Sequence, residues 1–314
     1  MKVLEVHDLT VSFDGKHAVD NVSFDLYSGE IVGLVGESGC GKSLTAFSIL
    51  GISPPGSYLS GKVIYKGTDL LTLDDESRRK VRGNLISLIP QDPLSALNPV
   101  FTIGDQISEV LTTHKNFTHT QALEESRKIL ESINVPNAKE RLRDYPHQFS
   151  GGMKQRVLIA MALVAKPDIL IADEPTTALD VTIQLQILEI MKELKNKGKA
   201  ILLITHDLAQ VAEICDRVFV MYLGKVVESA STKDIFTNPK HPYTIGLLNS
   251  LPEENKKILS PIVGQPASID SIPCGCAFHP RCPHIFNRCK IELPKLYDVT
   301  ENHKSRCFLE DKTN

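Results

Sequence analysis

Eight residues constrain this chain more than any others. Gly36-Glu37-Ser38-Gly39-Cys40-Gly41-Lys42-Ser43 follow the unbroken apolar run Ile31 to Val35 and precede a predicted helix from about Lys42. The glycines let the backbone curl so that successive N–H groups face one centre, and the helix N-terminus adds its positive end. The spacing fits the P-loop pattern in full, and its strand-before, helix-after context is the one that pattern requires. Lys42 is expected on the β- and γ-phosphates of a nucleotide, and the Ser43 hydroxyl in a Mg²⁺ shell. Gly36 to Ser43, with Leu44 next in the helix, are therefore the candidate ATP-binding residues.

The chain has 314 residues, 42% hydrophobic and 23% charged, with a formal charge of −3. That balance excludes a basic nucleic-acid binder and an acidic disordered chain. The longest apolar run, Val157 to Ala165, is about half of what a membrane span needs. Acidic residues within Met1 to Asp8 argue against an export signal, so the cytosol is the expected compartment.

Strands are predicted at Lys2 to Val6, Val11 to Phe13, Val22 to Leu26, Ile31 to Val35, Gly61 to Gly67 and Leu85 to Ile89. Helical periodicity between about Ile103 and Ile133 marks an insert, with Thr120 and Glu124 near the start of its second segment. From Asp168 strand and helix alternate through Ile169 to Ala172, Gln184 to Lys195, Ala200 to Ile204, Asp207 onward and Val218 to Tyr222. Such alternation argues for crossover units on a parallel sheet with helices on both faces. Prolines, histidines and cysteines become frequent after about Ser229, which places a domain boundary near residue 230.

Ile169-Leu170-Ile171-Ala172-Asp173-Glu174 is an apolar strand ending in two acids. Asp173 can hold Mg²⁺ and Glu174 can polarise an attacking water as general base. Phe149-Ser150-Gly151-Gly152-Met153-Lys154-Gln155-Arg156 lies shortly before it. A serine hydroxyl and two glycine N–H groups opening a helix make a second phosphate-binding surface.

This stretch resembles the signature sequence of the ABC-type ATPases. The resemblance covers roughly residues 1 to 230, and it implies that Ser150, Gly151, Gly152 and Met153 meet the nucleotide held by a partner subunit's P-loop. Met153 stands where many members have Gln. Gln91 resembles the glutamine that reaches Mg²⁺ and the attacking water, His206 the switch histidine, Asp180 in Thr177-Ala178-Leu179-Asp180 the loop that joins the two sites, and Phe13 the aromatic that stacks on adenine. Gln91, Glu174 and His206 are thus the candidate catalytic residues. Ser43, Gln91 and Asp173 are the candidate Mg²⁺ residues.

The fold so implied is α/β: a P-loop ATPase with a mainly parallel core sheet, an N-terminal antiparallel β subdomain, a helical subdomain at about 92–165, and a small Cys-rich extension over 231–314. Each motif occurs once and no membrane segment is fused. This suits a separate subunit docked on the cytoplasmic face of the cell membrane. Asn238-Pro239-Lys240-His241-Pro242-Tyr243-Thr244 and Phe278-His279-Pro280-Arg281-Cys282-Pro283 resemble the tail of dipeptide and oligopeptide importer ATPases. That resemblance implies a second ATPase subunit, paralogous or identical, two permease subunits, and indirectly an extracytoplasmic binding protein. An importer of nickel or another small solute, or a soluble ABC ATPase remodelling a cytosolic assembly, are the alternatives.

Of seven cysteines, five fall after residue 273. In reduced compartments clustered thiols more often bind metal than pair. Cys276, Cys282, Cys289 and Cys307 are separated by five, six and seventeen residues, and spacing alone does not choose between iron–sulfur, zinc and other states. The resemblance implies a [4Fe-4S] cluster, with Zn²⁺ as the alternative. A metal centre is then expected to serve as the core of a tail poor in apolar residues, and to form a possible docking element. Cys274 is read as a spare neighbour, Cys215 as buried packing on a helix, and Cys40 as pointing away from phosphate.

Overall fold

The buried apolar runs build two sheets. In chain order the strands are β1 (Lys2–Phe13), β2 (Lys16–Tyr27), β3 (Ile31–Val35), β4 (Ser57–Tyr65), β5 (Thr68–Asp69), β6 (Ile86–Ile89), β7 (Ile169–Asp173), β8 (Ala200–Thr205), β9 (Arg217–Tyr222), β10 (Lys225–Ser231), β11 (Tyr297–Thr300) and β12 (His303–Ser305). The principal helices are α1 (Lys42–Ile49), α2 (Ile103–His114), α3 (His119–Ser132), α4 (Gly151–Leu163), α5 (Val181–Asn196), α6 (Leu208–Ile214) and α7 (Pro242–Asn249). They come from a computed structural model that describes residues 1–177, 179–251 and 262–311. Ala178 in the loop after β7, and residues 252–261 and 312–314 of the expected extension, lie outside the described residues. Among the described residues no helix is long and apolar enough to cross a membrane.

The chain divides into two units. One comprises Met1–Val3, Leu26–Glu30 and Thr72–Leu203; the other comprises Leu4–Asp25, Ile31–Leu71 and Ile204–Asn314.

In the second unit every residue of β3 is buried, as a strand covered on both faces demands. β3 pairs in parallel with β9, Val35 opposite Val220. β10 and β12 continue this sheet antiparallel, and β11 follows β12. A separate antiparallel sheet has the order β2-β1-β4-β5. β1 is one strand where the sequence suggests two. Its register slips between His7 and Thr10, and Asp8 takes φ 48° while its N–H donates to Ser23 Oγ at 2.8 Å. The polar pair His7-Asp8 bulges the strand and does not end it.

Residues beyond β10 are organised by aromatic packing. Tyr222, Tyr243 and Phe278 are fully buried, with ring centroids 4.6 to 5.4 Å apart, spacings at which aromatic edges and faces attract. The Arg288 guanidinium lies 4.2 Å from the Phe308 ring centre. Buried Glu228 is met by the N–H groups of Lys240 and His241 at 2.6 and 2.9 Å and by His303 Nε2 at 2.7 Å. That satisfies a carboxylate which would otherwise be costly to bury. This corrects the expectation of a tail without a core of its own: the core is aromatic, and sparse rings spread along the chain did not register as an apolar run.

In the first unit β6 and β7 pair in parallel, Ile89 opposite Ala172, and β8 lies beside β7. α2, α3 and α4 pack together as the helical insert. The second helix starts earlier than Thr120 and Glu124 suggest. Thr118 is the N-cap and forms a capping box with Gln121, since Thr118 has the extended backbone a cap needs. Buried Arg156 of α4 donates to the carbonyls of Ile133 and Asn134 at 2.9 and 2.7 Å and to Gln186 of α5, tying three elements by one side chain.

Candidate functional site

The eight-residue loop connects β3 to α1 as its sequence predicts. Gly36, Gly39 and Gly41 have φ of 154°, 77° and 104°. Two of these glycines are also required by space. A Cβ at Gly36 would stand 2.3 Å from the Met221 carbonyl oxygen, and one at Gly41 would stand 2.8 Å from that of Ala18. β9 runs parallel to β3, so its end walls the start of the loop. Lys42, 5% exposed, donates from Nζ to the carbonyls of Gly36 at 2.9 Å and Glu37 at 3.0 Å. Its ammonium is therefore held inside the ring of loop residues. Cys40 is buried, its Sγ 3.9 Å from Lys42 Nζ, and burial pushes its thiol up. Ser43 and Leu44 enter the first turn of α1.

Sequence reasoning did not foresee what surrounds Glu37. Its carboxylate is gripped by both terminal nitrogens of Arg281, Nη1 to Oε2 at 2.7 Å and Nη2 to Oε1 at 2.9 Å. Its backbone N–H donates to Tyr243 Oη at 2.8 Å. Burial pushes the Tyr243 phenol well above its ordinary range, so it stays neutral there. The Arg281 carbon lies 5.9 Å from both the Tyr222 and Phe278 ring centres. The positions differ by 244 and 206 residues in sequence, and no local pattern signals such pairings. The only trace was the pair of unusual segments that hold Tyr243 and Arg281.

In the first unit, Asp173 closes β7 with 2% exposure, and Glu174 turns out of the strand at φ 46°. Gln91 follows β6, and the parallel register brings the two strand ends side by side. Gln91 Nε2 donates to Glu174 Oε2 at 3.0 Å, and Thr177 Oγ1 donates to the same oxygen at 3.0 Å. Two donors thus orient one carboxylate oxygen.

Ser150 caps α4, accepting from the Met153 N–H at 3.3 Å. Gly151 has nothing within 4 Å of the Cβ it lacks, and Gly152 meets only Ile183 at ordinary contact. Asp180 caps α5, accepting from the Ile183 N–H at 3.0 Å. Back in the second unit, Phe13 ends β1 half-buried and His206 is exposed just after β8.

Cys276, Cys282, Cys289 and Cys307 line one small pocket with Phe278, Phe286 and Phe308. Burial pushes the Cys276 thiol up to about 11 and that of Cys307 up to about 12, and raises Cys282. Among the described residues no group of three or more His, Cys, Asp or Glu is placed to hold a metal ion. The four thiols expected at a metal centre are brought to one pocket, which they share with the rings of Phe278, Phe286 and Phe308. Cys215 is buried as expected, at the end of α6, against Gly33 of β3.

The ABC transporter family matches residues 19–177, and the oligopeptide/dipeptide transporter C-terminal region matches residues 227–289. The chain is 50% identical to the dipeptide transport ATP-binding protein DppD of Bacillus subtilis, over 99% of this chain and 96% of that protein. It is 46% identical to the oligopeptide transport ATP-binding protein OppD of Escherichia coli, over 98% and 93%. Among solved structures, the dimeric post-hydrolysis state of an ATP-binding cassette bound to ADP and Pi superposes with a TM-score of 0.66 at 26% identity. That match covers 73% of this chain and 98% of the other.

Proposed function

The chain belongs to the ABC transporter family of ATPases, and from that premise we propose that it is the ATP-hydrolysing subunit of an importer for dipeptides or oligopeptides. One observation carries the reading: similarity to peptide-transport ATPases runs through the whole chain, including the C-terminal region. In this reading residues 1–230 are the nucleotide-binding domain, with the helical subdomain at about 92–165, and residues 231–314 are the extension.

Phe13 stacks on adenine, and the loop from Gly36 to Leu44 receives the phosphates, the Glu37 N–H being held by Tyr243 Oη. Lys42 exchanges its loop carbonyls for the β- and γ-phosphate oxygens. Ser43, Gln91 and Asp173 would hold Mg²⁺, whose charge offsets that of the triphosphate; hard oxygen donors at a strand end and a helix start suit that ion. Glu174 takes the proton of the attacking water, with Gln91 and Thr177 orienting its carboxylate through Oε2. His206 contacts the γ-phosphate. Ser150, Gly151, Gly152 and Met153 face the nucleotide of a second ATPase subunit, paralogous or identical, and Asp180 links the two sites. Closure around ATP then drives two permease subunits fed by an extracytoplasmic binding protein, with this subunit peripheral on the cytoplasmic face.

A [4Fe-4S] cluster on Cys276, Cys282, Cys289 and Cys307, or Zn²⁺ in its place, is the finer part of the proposal. The convergence of four thiols on one pocket supports it, and the absence of a ready metal-holding set among the described residues weighs against it. Iron, zinc and acid-labile sulfide content of protein purified without oxygen decides among them.

Peptide uptake into vesicles by the chain assembled with its permeases tests the main reading. Glu174→Gln is expected to retain ATP binding while turnover falls by about 10² to 10⁴. Unchanged turnover in that variant removes Glu174 from its role, and ATP-driven uptake of a non-peptide solute alone overturns the substrate class.

A further inference from the structure

We infer that Arg281 is a positioning residue of the nucleotide site: it neutralises the Glu37 carboxylate inside the P-loop, so that the cradle offers a triphosphate no uncompensated negative charge. The inference deepens the ATP-binding reading above and rests on it.

A carboxylate is an unexpected side chain in a loop that receives phosphate. Repulsion between it and a polyanion is strong wherever protein displaces water. Here it is met by the one side chain whose planar fork fits both of its oxygens at once, at 2.7 and 2.9 Å. The Arg281 side chain is 5% exposed and lies against the rings of Tyr222 and Phe278. Its Nε is also spent on the Val263 carbonyl at 3.2 Å. It is thus built into the fold and does not sample solvent. Tyr243 holds the main chain of the same residue by accepting the Glu37 N–H. Both the charge and the backbone of Glu37 are therefore fixed from residues beyond 240. Within the loop Glu37 and Lys42 cancel; with Arg281 of the C-terminal segment paired to Glu37, the charge of Lys42 is left for the phosphates.

Equilibrium binding of ATP and of ADP to the full chain tests this. Arg281→Met is expected to raise the ATP dissociation constant about tenfold or more, and that of ADP less, because repulsion grows with phosphate charge. Glu37→Gln, which leaves the charge of Arg281 uncompensated and the backbone contact to Tyr243 in place, binds ATP more tightly than the parent. Adding Glu37→Gln to Arg281→Met restores ATP affinity, and Arg281→Lys restores part of it. A merely structural latch gives the opposite pattern: both single variants weaken ATP and ADP alike, and the double variant does no better than Arg281→Met. That result overturns the inference. Where Arg281→Met does not fold, Glu37→Gln decides alone, since equal or weaker ATP binding there overturns it and tighter binding supports it. Lys42→Ala separates the layers: normal ATP binding by that variant removes the P-loop reading, whereas its loss beside an unaffected Arg281→Met removes only the role of Arg281.

Discussion

Two glycine-rich turns in this chain are each suited to phosphate, and they are built in opposite ways. The loop from Gly36 to Ser43 is held from far away: the carbonyls of Met221 and Ala18 leave no room for a Cβ at Gly36 and Gly41, and Tyr243 and Arg281 grip Glu37. The turn from Ser150 to Met153 is held by itself, through one serine cap, with open space beside Gly151. The first turn is preformed by its surroundings. The second leaves the space beside Gly151 open, and in the proposed assembly a second subunit covers it.

The sharpest way to break this contrast is Gly36→Ala. With a Cβ 2.3 Å from the Met221 oxygen, unfolding in denaturant is expected to show a loss of about 3 kcal/mol or more. The next effect bears on the distant residues that brace the first turn. Burial holds the His241 imidazole down at about 3, against an ordinary 6.5, while Nδ1 accepts the Tyr243 N–H at 3.1 Å. The native state thus binds fewer protons than the unfolded chain below pH 6.5, so this contribution costs nothing above 6.5 and grows as pH falls toward 3. At pH 5 it amounts to about 2 kcal/mol, and His241→Asn, which keeps an acceptor without titrating, should flatten the pH dependence of the denaturation midpoint. Ser150→Ala removes only a cap and is expected to cost about 1 kcal/mol. Gly151→Ala should lie within about 0.5 kcal/mol of the parent in stability while lowering turnover of the assembled complex. Equal losses for Gly36→Ala and Gly151→Ala would erase the distinction between the two turns.

How legible these features were follows from the range of the forces involved. β3, β7 and β8 announce themselves, because a strand buried on both faces is a continuous apolar run. The P-loop and the Ser150 cap are equally plain, being local chemistry at fixed spacing. Glu174 is legible as an acid ending an apolar run and Gln91 only through the family resemblance; their contact rests on the parallel register of β6 and β7. The bulge at Asp8 was misread because a polar pair ends a strand more often than it kinks one. The segment past residue 240 was least legible. Tyr243, Phe278 and Phe308 stand alone among polar neighbours, and β11 and β12 are four and three residues long, too short for any period to declare itself. Their partners lie up to two hundred positions away. The cysteines are conspicuous in sequence, whereas the rings that line the same pocket with them are not.

The addition of β12 to the outer side of β10 has a further consequence. Glu228 and Ser229 pair with Ser305 and Lys304, and the Arg306 N–H reaches the Val227 carbonyl at 2.7 Å. A chain stopped short of residue 303 would present that row of backbone groups to solvent, and an uncovered edge is a template for strands of other molecules. β11 and β12 thus act as a selvedge that keeps the β10 side of the sheet from knitting onto its neighbours.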